Sequence, residues 1–149
     1  MIISHKNKFI FIKTQKVSGT SMEIALSHHL GPQDIVTPIS IDDEIKRYKL
    51  TGKTCQNYSN NAKSEKKFIE IIKKLSKKND LNQEEIHKYN LEYQESTNYT
   101  FFNHIKASEI IKKIQMSIWE DYFKFTIERH PFDRVISFMF FANRRNKNF

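Results

Sequence analysis

Six consecutive residues, Lys16-Val17-Ser18-Gly19-Thr20-Ser21, carry the first chemistry that this sequence offers. They follow a short apolar run, Phe9-Ile10-Phe11-Ile12, and precede Met22-Glu23-Ile24-Ala25-Leu26. Strand, tight polar turn and helix in that order make an anion site. The first N–H groups of a helix lack internal partners and point outward, and the helix dipole adds partial positive charge there. Gly19 lets the main chain approach an anion closely. Ser18, Thr20 and Ser21 add hydroxyls, and Lys16 adds a full charge. A Walker A loop places its Lys directly after the second Gly. Here the lysine precedes the glycine, which argues against ordinary ATPase chemistry. The same Ser and Thr residues could simply cap a helix, and the local segment leaves that reading open.

A second group lies far along the chain, in Phe125-Thr126-Ile127-Glu128-Arg129-His130-Pro131-Phe132-Asp133-Arg134-Val135-Ile136-Ser137. Arg129 falls where an alternating strand ends, and Pro131 suits the first turn of the following helix. A guanidinium offers a planar fork of donors that matches a phosphate. Arg134 could touch the same anion or brace the site through a carboxylate such as Asp133.

Among side chains that can take up a proton near neutral pH, His is the best suited. Of the six histidines, His104 is the candidate, because the segment Tyr99-Thr100-Phe101-Phe102 reads as a strand that delivers it to the ligand edge. It could equally pack beside the next helix. His28 and His29 are adjacent, so on a helix they diverge by about 100° and cannot chelate together. No zinc pattern is present. Cys55 stands alone, between Thr54 and Gln56, with nothing to activate it and no partner for an internal disulfide.

These groups need a frame. Lys8 to Lys13 reads as a strand buried on both faces. The helix after it, with Met22, Ala25 and Leu26 on one face, ends at Gly31-Pro32. Residues 33 to 62 look irregular apart from a short helix over Ile41 to Tyr48. Ser64 to Leu75 is a Lys-rich amphipathic helix with Phe68, Ile71, Ile72 and Leu75 on one side. Asp80 with Gln83 resembles a capping box for a helix burying Ile86, Tyr89 and Tyr93. Ser108 is expected to cap a helix carrying Ile110, Ile111 and Ile114. Tyr122 to Ile127 reads as a strand, with Trp119 and the nearby Phe residues in the core. The last helix holds Val135, Ile136, Met139 and Phe140. Strands alternating with helices predict an α/β fold with a parallel sheet and right-handed crossovers. Ligands in such sheets bind beyond the carboxyl ends of the strands. The Lys16 loop, His104 and Arg129 all fall at predicted strand ends.

The chain has 149 residues, enough for one domain with a real core. It carries 25 Lys and Arg against 17 Asp and Glu, a net charge of +8. That field favours anionic partners, though part of it is a solvated surface. No nucleic-acid signature accompanies the charge, so nucleic acid is not an expected partner. The apolar run at Phe9 is too short for a signal peptide or a membrane span. A soluble cytoplasmic protein is the expectation.

Together the two motifs resemble the sulfotransferase superfamily, above all its carbohydrate-type and bacterial members. Lys13-Thr14-Gln15-Lys16-Val17-Ser18-Gly19-Thr20-Ser21 is similar to that family's loop for a 5′-phosphosulfate, with Gln15 where Pro is usual and Val17-Ser18 where Thr-Gly or Gly-Gly is usual. Arg129-x-Pro131-x-x-Arg134-x-x-Ser137 resembles its 3′-phosphate motif. Asp34 to Ser40 and Gln56-Asn57-Tyr58 resemble one bacterial branch. The resemblance runs from Phe9 to about Phe141. It implies a three-layer, P-loop-NTPase-like parallel sheet flanked by helices. It also implies transfer of a sulfuryl group from 3′-phosphoadenosine-5′-phosphosulfate to a hydroxyl acceptor, a sugar above all. Lys16 and His104 would be catalytic, and no metal would be required. Lys16, Val17, Ser18, Gly19, Thr20, Ser21, Arg129 and Ser137 would hold the donor. His104 also sits in a His-x-x-Ala-x-Glu-Ile context, His104 to Ile110, similar to one in many relatives. Family members generally continue beyond the Ser137 helix, so this single domain, 1–149, is expected to lack the C-terminal part of the usual one. The alternative is an inactive or truncated protein of the same fold that only binds nucleotide or partners.

Overall fold

The computed structural model describes residues 1–78, 82–96 and 99–145. Its strands are β1 (Ile2–Ser4), β2 (Phe9–Phe11), β3 (Ile35–Val36) and β4 (Phe123–Phe125), joined in the order β3-β1-β2-β4. The helices are α1 (Gly19–Ser27), α2 (Ile41–Thr51), α3 (Ala62–Leu75), α4 (Gln83–Ser96), α5 (Ala107–Ile110), α6 (Met116–Asp121) and α7 (Pro131–Arg145).

The chain is α/β, but the sheet is mixed and not wholly parallel. β2 and β4 run parallel, with Phe9 opposite Phe123 and Phe11 opposite Phe125. β1 is antiparallel to both β2 and β3. The reason lies in the connection. Only the turn His5 to Lys8 separates β1 from β2, whereas a parallel return needs a crossover of about a dozen residues or more. Strand alternation then divides the core. Ile3 pairs with Ile10, and both join Ile41, Ile45, Phe68, Ile72 and Leu75 from α2 and α3 in one cluster. Ile2 pairs with Phe11, and both join Leu30 and Val36 in a second, flanked by Met22, Leu26 and Phe125.

The segment 33 to 62 is more ordered than its composition suggests. The buried Asp34 carboxylate accepts from Ser4 Oγ at 2.8 Å, Gly31 N at 2.9 Å and Lys6 N at 3.0 Å. Gln56 donates to the carbonyls of Gly31 and Asp34, and Asn57 to those of Pro32 and Asp34. Asp34 and Gln56-Asn57 therefore stitch β3 to the β1–β2 turn. Ser40 caps α2 through Asp43 N, and Gly52, left-handed at φ 67°, closes it.

Several expectations are corrected. Tyr99 to Phe102 is not a strand, because the N–H groups of Thr100 and Phe101 both go to Tyr58 O. Ser108 is not a cap: α5 starts from Lys106 and has no side-chain cap. The buried residues of α1 are Gly19, Glu23 and Ser27, not Ala25, which is exposed. Phe68, Ile72 and Leu75 are buried on α3 as expected. Ile86 is buried on α4, with Tyr89 packed beside it, while Asp80 lies outside the described residues and nothing is said of the Tyr93 side chain. On α7, Val135, Ile136, Met139 and Phe140 are exposed, Phe140 by 69%. β4 is the edge of the sheet among the described residues, so no strand beyond it seats that helix.

Asp34→Ala strands three buried or half-buried donors at once. Denaturant titration is expected to show a loss of about 3 kcal/mol. A loss below about 1 kcal/mol would mean that those donors find other acceptors.

Candidate functional site

The parallel pairing of β2 and β4 sends two distant segments out of the sheet side by side. Ile12 N donates to Phe125 O at 2.9 Å. One step further, Thr14 Oγ1 donates to Ile127 O at 3.3 Å. Lys16 follows on one side and Arg129 on the other. They line a common cavity of about 300 Å³ with Asp133, Ile136, Ser137, Phe140 and Phe141. The last five occupy positions i, i+3, i+4, i+7 and i+8, one stripe of α7. Lys16 is half-buried, with Nζ 4.3 Å from the centre of the Phe141 ring, a cation–π contact that aims the ammonium at α7.

Lys16 and Ser18 are left-handed, at φ 61° and φ 60°, while Val17 between them is not. Each such non-glycine residue costs about 1–2 kcal/mol. An alternation of this kind turns successive N–H groups toward one side, the geometry of an anion nest. Val17 is 3% exposed and anchors the loop. Ser18 is the N-cap residue of α1, yet its side chain makes no cap hydrogen bond. Met22 N is the first to find a helical acceptor, Ser18 O at 3.3 Å, which leaves the N–H groups of Gly19, Thr20 and Ser21 ahead of the intrahelical ladder. The structure thus departs from the simple helix-cap reading at Ser18.

Gly19 has a reason beyond the one its sequence suggests. Its φ is not left-handed. A Cβ there would lie 2.7 Å from Lys13 Cγ and 3.2 Å from Lys13 Cε. The glycine makes room for a lysine stem under the loop. Lys13 itself is 4% exposed, and its Nζ donates to Thr20 Oγ1 at 3.0 Å and to Glu23 Oε2 at 2.8 Å. Glu23 also accepts from the Met1 ammonium, and Arg47 Nη2 stands 3.8 Å from it. Arg47 Nη1 in turn donates to Glu44 Oε1 at 2.8 Å, and Glu44 accepts from Ile39 N and Cys55 N. Burial pushes the Glu23 carboxyl up, but the Met1 ammonium, Lys13 and Arg47 outweigh it and hold it below its ordinary value. Burial dominates at Glu44, whose carboxyl is raised despite Arg47. Sequence reading missed this cluster. Its one trace is the run Gly19, Glu23, Ser27 at four-residue spacing, a polar stripe on the buried face of α1.

His104 sits in the loop before α5, left-handed at φ 61°. Its Nδ1 is 3.3 Å from the Lys13 carbonyl. A carbonyl only accepts, so Nδ1 carries the proton and Nε2 keeps its lone pair. Burial, then the Lys13 charge, lower the imidazole from its ordinary value of 6.5, with the Lys13 carbonyl working the other way. The neutral ring is therefore favoured.

The structure brings Lys16, Arg129 and Ser137 together in one cavity. Val17, Ser18, Gly19, Thr20, Ser21 and His104 are not among that cavity's walls, although Gly19, Thr20 and His104 lie against Lys13. Asp133, Phe140 and Phe141 were not expected there. The helical spacing from Ser137 back to Asp133 and forward to Phe141 was the available signal. Arg134 is exposed and also outside the wall. Burial raises the Cys55 thiol well above its ordinary value, so it is no nucleophile. Trp119 packs against the larger core cluster. Among the described residues, no group of three or more His, Cys, Asp or Glu could hold a metal ion, and no helix is long and apolar enough to cross a membrane.

Comparison with curated proteins and with solved structures gives no match. Comparison with family models gives one that covers almost every residue described above, the sulfotransferase family, over residues 1–146. A strand–loop–helix with Lys16, an Arg129–Ser137 pair across a shared cavity and that match agree, and the chain belongs to the sulfotransferase family.

Proposed function

We propose that this chain moves a sulfuryl group from 3′-phosphoadenosine-5′-phosphosulfate to a hydroxyl, and that residues 1–149 act as one sulfotransferase-like domain. The observation that carries the reading is the shared cavity of Lys16, Arg129 and Ser137. The donor has two anionic ends, and the site offers two cationic ones, delivered by parallel neighbouring strands. The β2–loop–α1 unit then serves as the phosphate half of a three-layer, P-loop-like arrangement. A carbohydrate acceptor rests on the likeness of both motifs to carbohydrate-type members.

Each group has a task on this reading. The N–H groups from Ser18 to Ser21 hold the 5′-phosphate at the start of α1. Arg129 and Ser137 hold the 3′-phosphate, the arginine through its fork. The acceptor oxygen attacks sulfur while the bond from sulfur to the bridging phosphate oxygen breaks. Lys16 neutralises the charge that develops on that oxygen. His104 Nε2 takes the acceptor proton. The products are a sulfate ester and 3′-phosphoadenosine-5′-phosphate.

Calorimetry with 3′-phosphoadenosine-5′-phosphate tests the donor class. Wild type is expected to bind, and Arg129→Ala to bind about 10- to 100-fold more weakly. No binding by wild type would end the proposal. Binding without any sulfated product from a panel of sugars would mark a nucleotide-binding protein that does not transfer.

Lys16→Ala is expected to lower the transfer rate by about 100-fold or more, measured with radiolabelled donor. Full turnover would remove Lys16 from the chemistry.

The pH profile follows from His104. A base works when unprotonated, and its pKa is lowered, so activity is lost only as pH falls through a range below 6.5. His104→Asn is expected to lose about 100-fold in rate and that acid limb with it. An acid limb that persists in the variant would assign the titration to another group.

A further inference from the structure

Two lysines belong to the loop, and only Lys16 is used above. We propose that Lys13 is a positioning residue, whose buried ammonium fixes the Thr20 hydroxyl as a donor to the anion held by the loop. The inference rests on the proposed donor reading and deepens it.

The argument starts from what an ammonium can do. It only donates. Lys13 Nζ lies 3.0 Å from Thr20 Oγ1, so the hydroxyl oxygen accepts there. Its own hydrogen must then point away from Lys13. Thr20 is half-buried at the first turn of α1, beside N–H groups ahead of the helical ladder. A hydroxyl polarised by a cation behind it is a stronger donor in front. The lysine is held in register from three sides. Glu23 Oε2 takes a second N–H at 2.8 Å. The stem passes under Gly19, where a Cβ would collide with Lys13 Cγ at 2.7 Å. The Lys13 carbonyl faces His104 Nδ1 at 3.3 Å. One residue thus touches the loop's glycine, its threonine and the candidate base, without lining the cavity that Lys16 enters.

A merely structural ion pair would affect stability alone, so the test reads nucleotide affinity. Lys13→Met keeps the stem and removes the donor. With 3′-phosphoadenosine-5′-phosphate in calorimetry, Lys13→Met and Thr20→Val are each expected to weaken binding about tenfold or more, and Thr20→Ser to retain it. The double variant of Lys13→Met with Thr20→Val should be no weaker than the poorer single one, because both cut the same relay. Wild-type affinity in Lys13→Met, or losses that add fully in the double variant, overturns the inference. If Lys13→Met fails to fold, Thr20→Val read against Thr20→Ser carries the same measurement, and wild-type affinity in Thr20→Val overturns the inference. Failure of wild type to bind the nucleotide would instead strike the donor reading itself.

Discussion

Parallel pairing of β2 with β4 is the constraint on which the site depends. The two strands are more than a hundred positions apart in the chain, yet Phe11 lies opposite Phe125. Parallel neighbours end at the same edge of a sheet, so whatever follows them emerges together. Lys16 comes five positions after Phe11 and Arg129 four positions after Phe125. Two further hydrogen bonds, Ile12 to Phe125 and Thr14 to Ile127, extend the pairing beyond the strands and keep the exits in step. A register slip of one residue would turn every side chain to the other face and separate the two cations.

The loop between β2 and α1 divides two lysines by environment. Lys16 is half-buried and rests over an aromatic ring, an attraction of about 0.5–2 kcal/mol that an anion can replace. Lys13 is enclosed with a carboxylate, Glu23, which it shares with the Met1 ammonium and Arg47. Removing one partner of such a buried pair typically costs about 3–5 kcal/mol. Apolar packing would often serve stability as well, so the pair is better understood through what it orients. Gly19 and Thr20 take their places against this one side chain, and His104 against the main-chain carbonyl of the same residue.

The sequence made the outline of this site legible and left its foundation dark. Phe9 to Ile12 and Phe123 to Phe125 announced strands through short apolar runs, and Pro131 marked the start of α7, because those signals are local. Ile2-Ile3 carries no strand signal: two apolar residues have no period, and β1 exists only because β2 and β3 pair with it on either side. Tyr99 to Phe102 had the composition of a strand, but Tyr58 O claims its N–H groups. α1 was read by its apolar residues, whereas its buried stripe is polar, and only partners as remote as Met1 and Arg47 make that stripe tolerable. The further demand on Gly19, room for a lysine stem beneath it, cannot be inferred from spacing.

Strain in the loop gives the remaining step. Left-handed backbone at Lys16 and Ser18 persists only where the surroundings over-determine it. Here the restraints are identifiable: Val17 is buried in the protein, Gly19 is pressed on Lys13, and Thr20 is bonded to the same lysine. They hold the loop from its buried side. A loop fixed in this way keeps its N–H groups turned outward before an anion arrives, so binding need not supply the cost of ordering them. Electrostatic stabilisation of a leaving oxygen depends on dipoles that are already oriented when charge develops. The buried cluster and the strained backbone are therefore two halves of one device, the first supplying the restraint that the second requires.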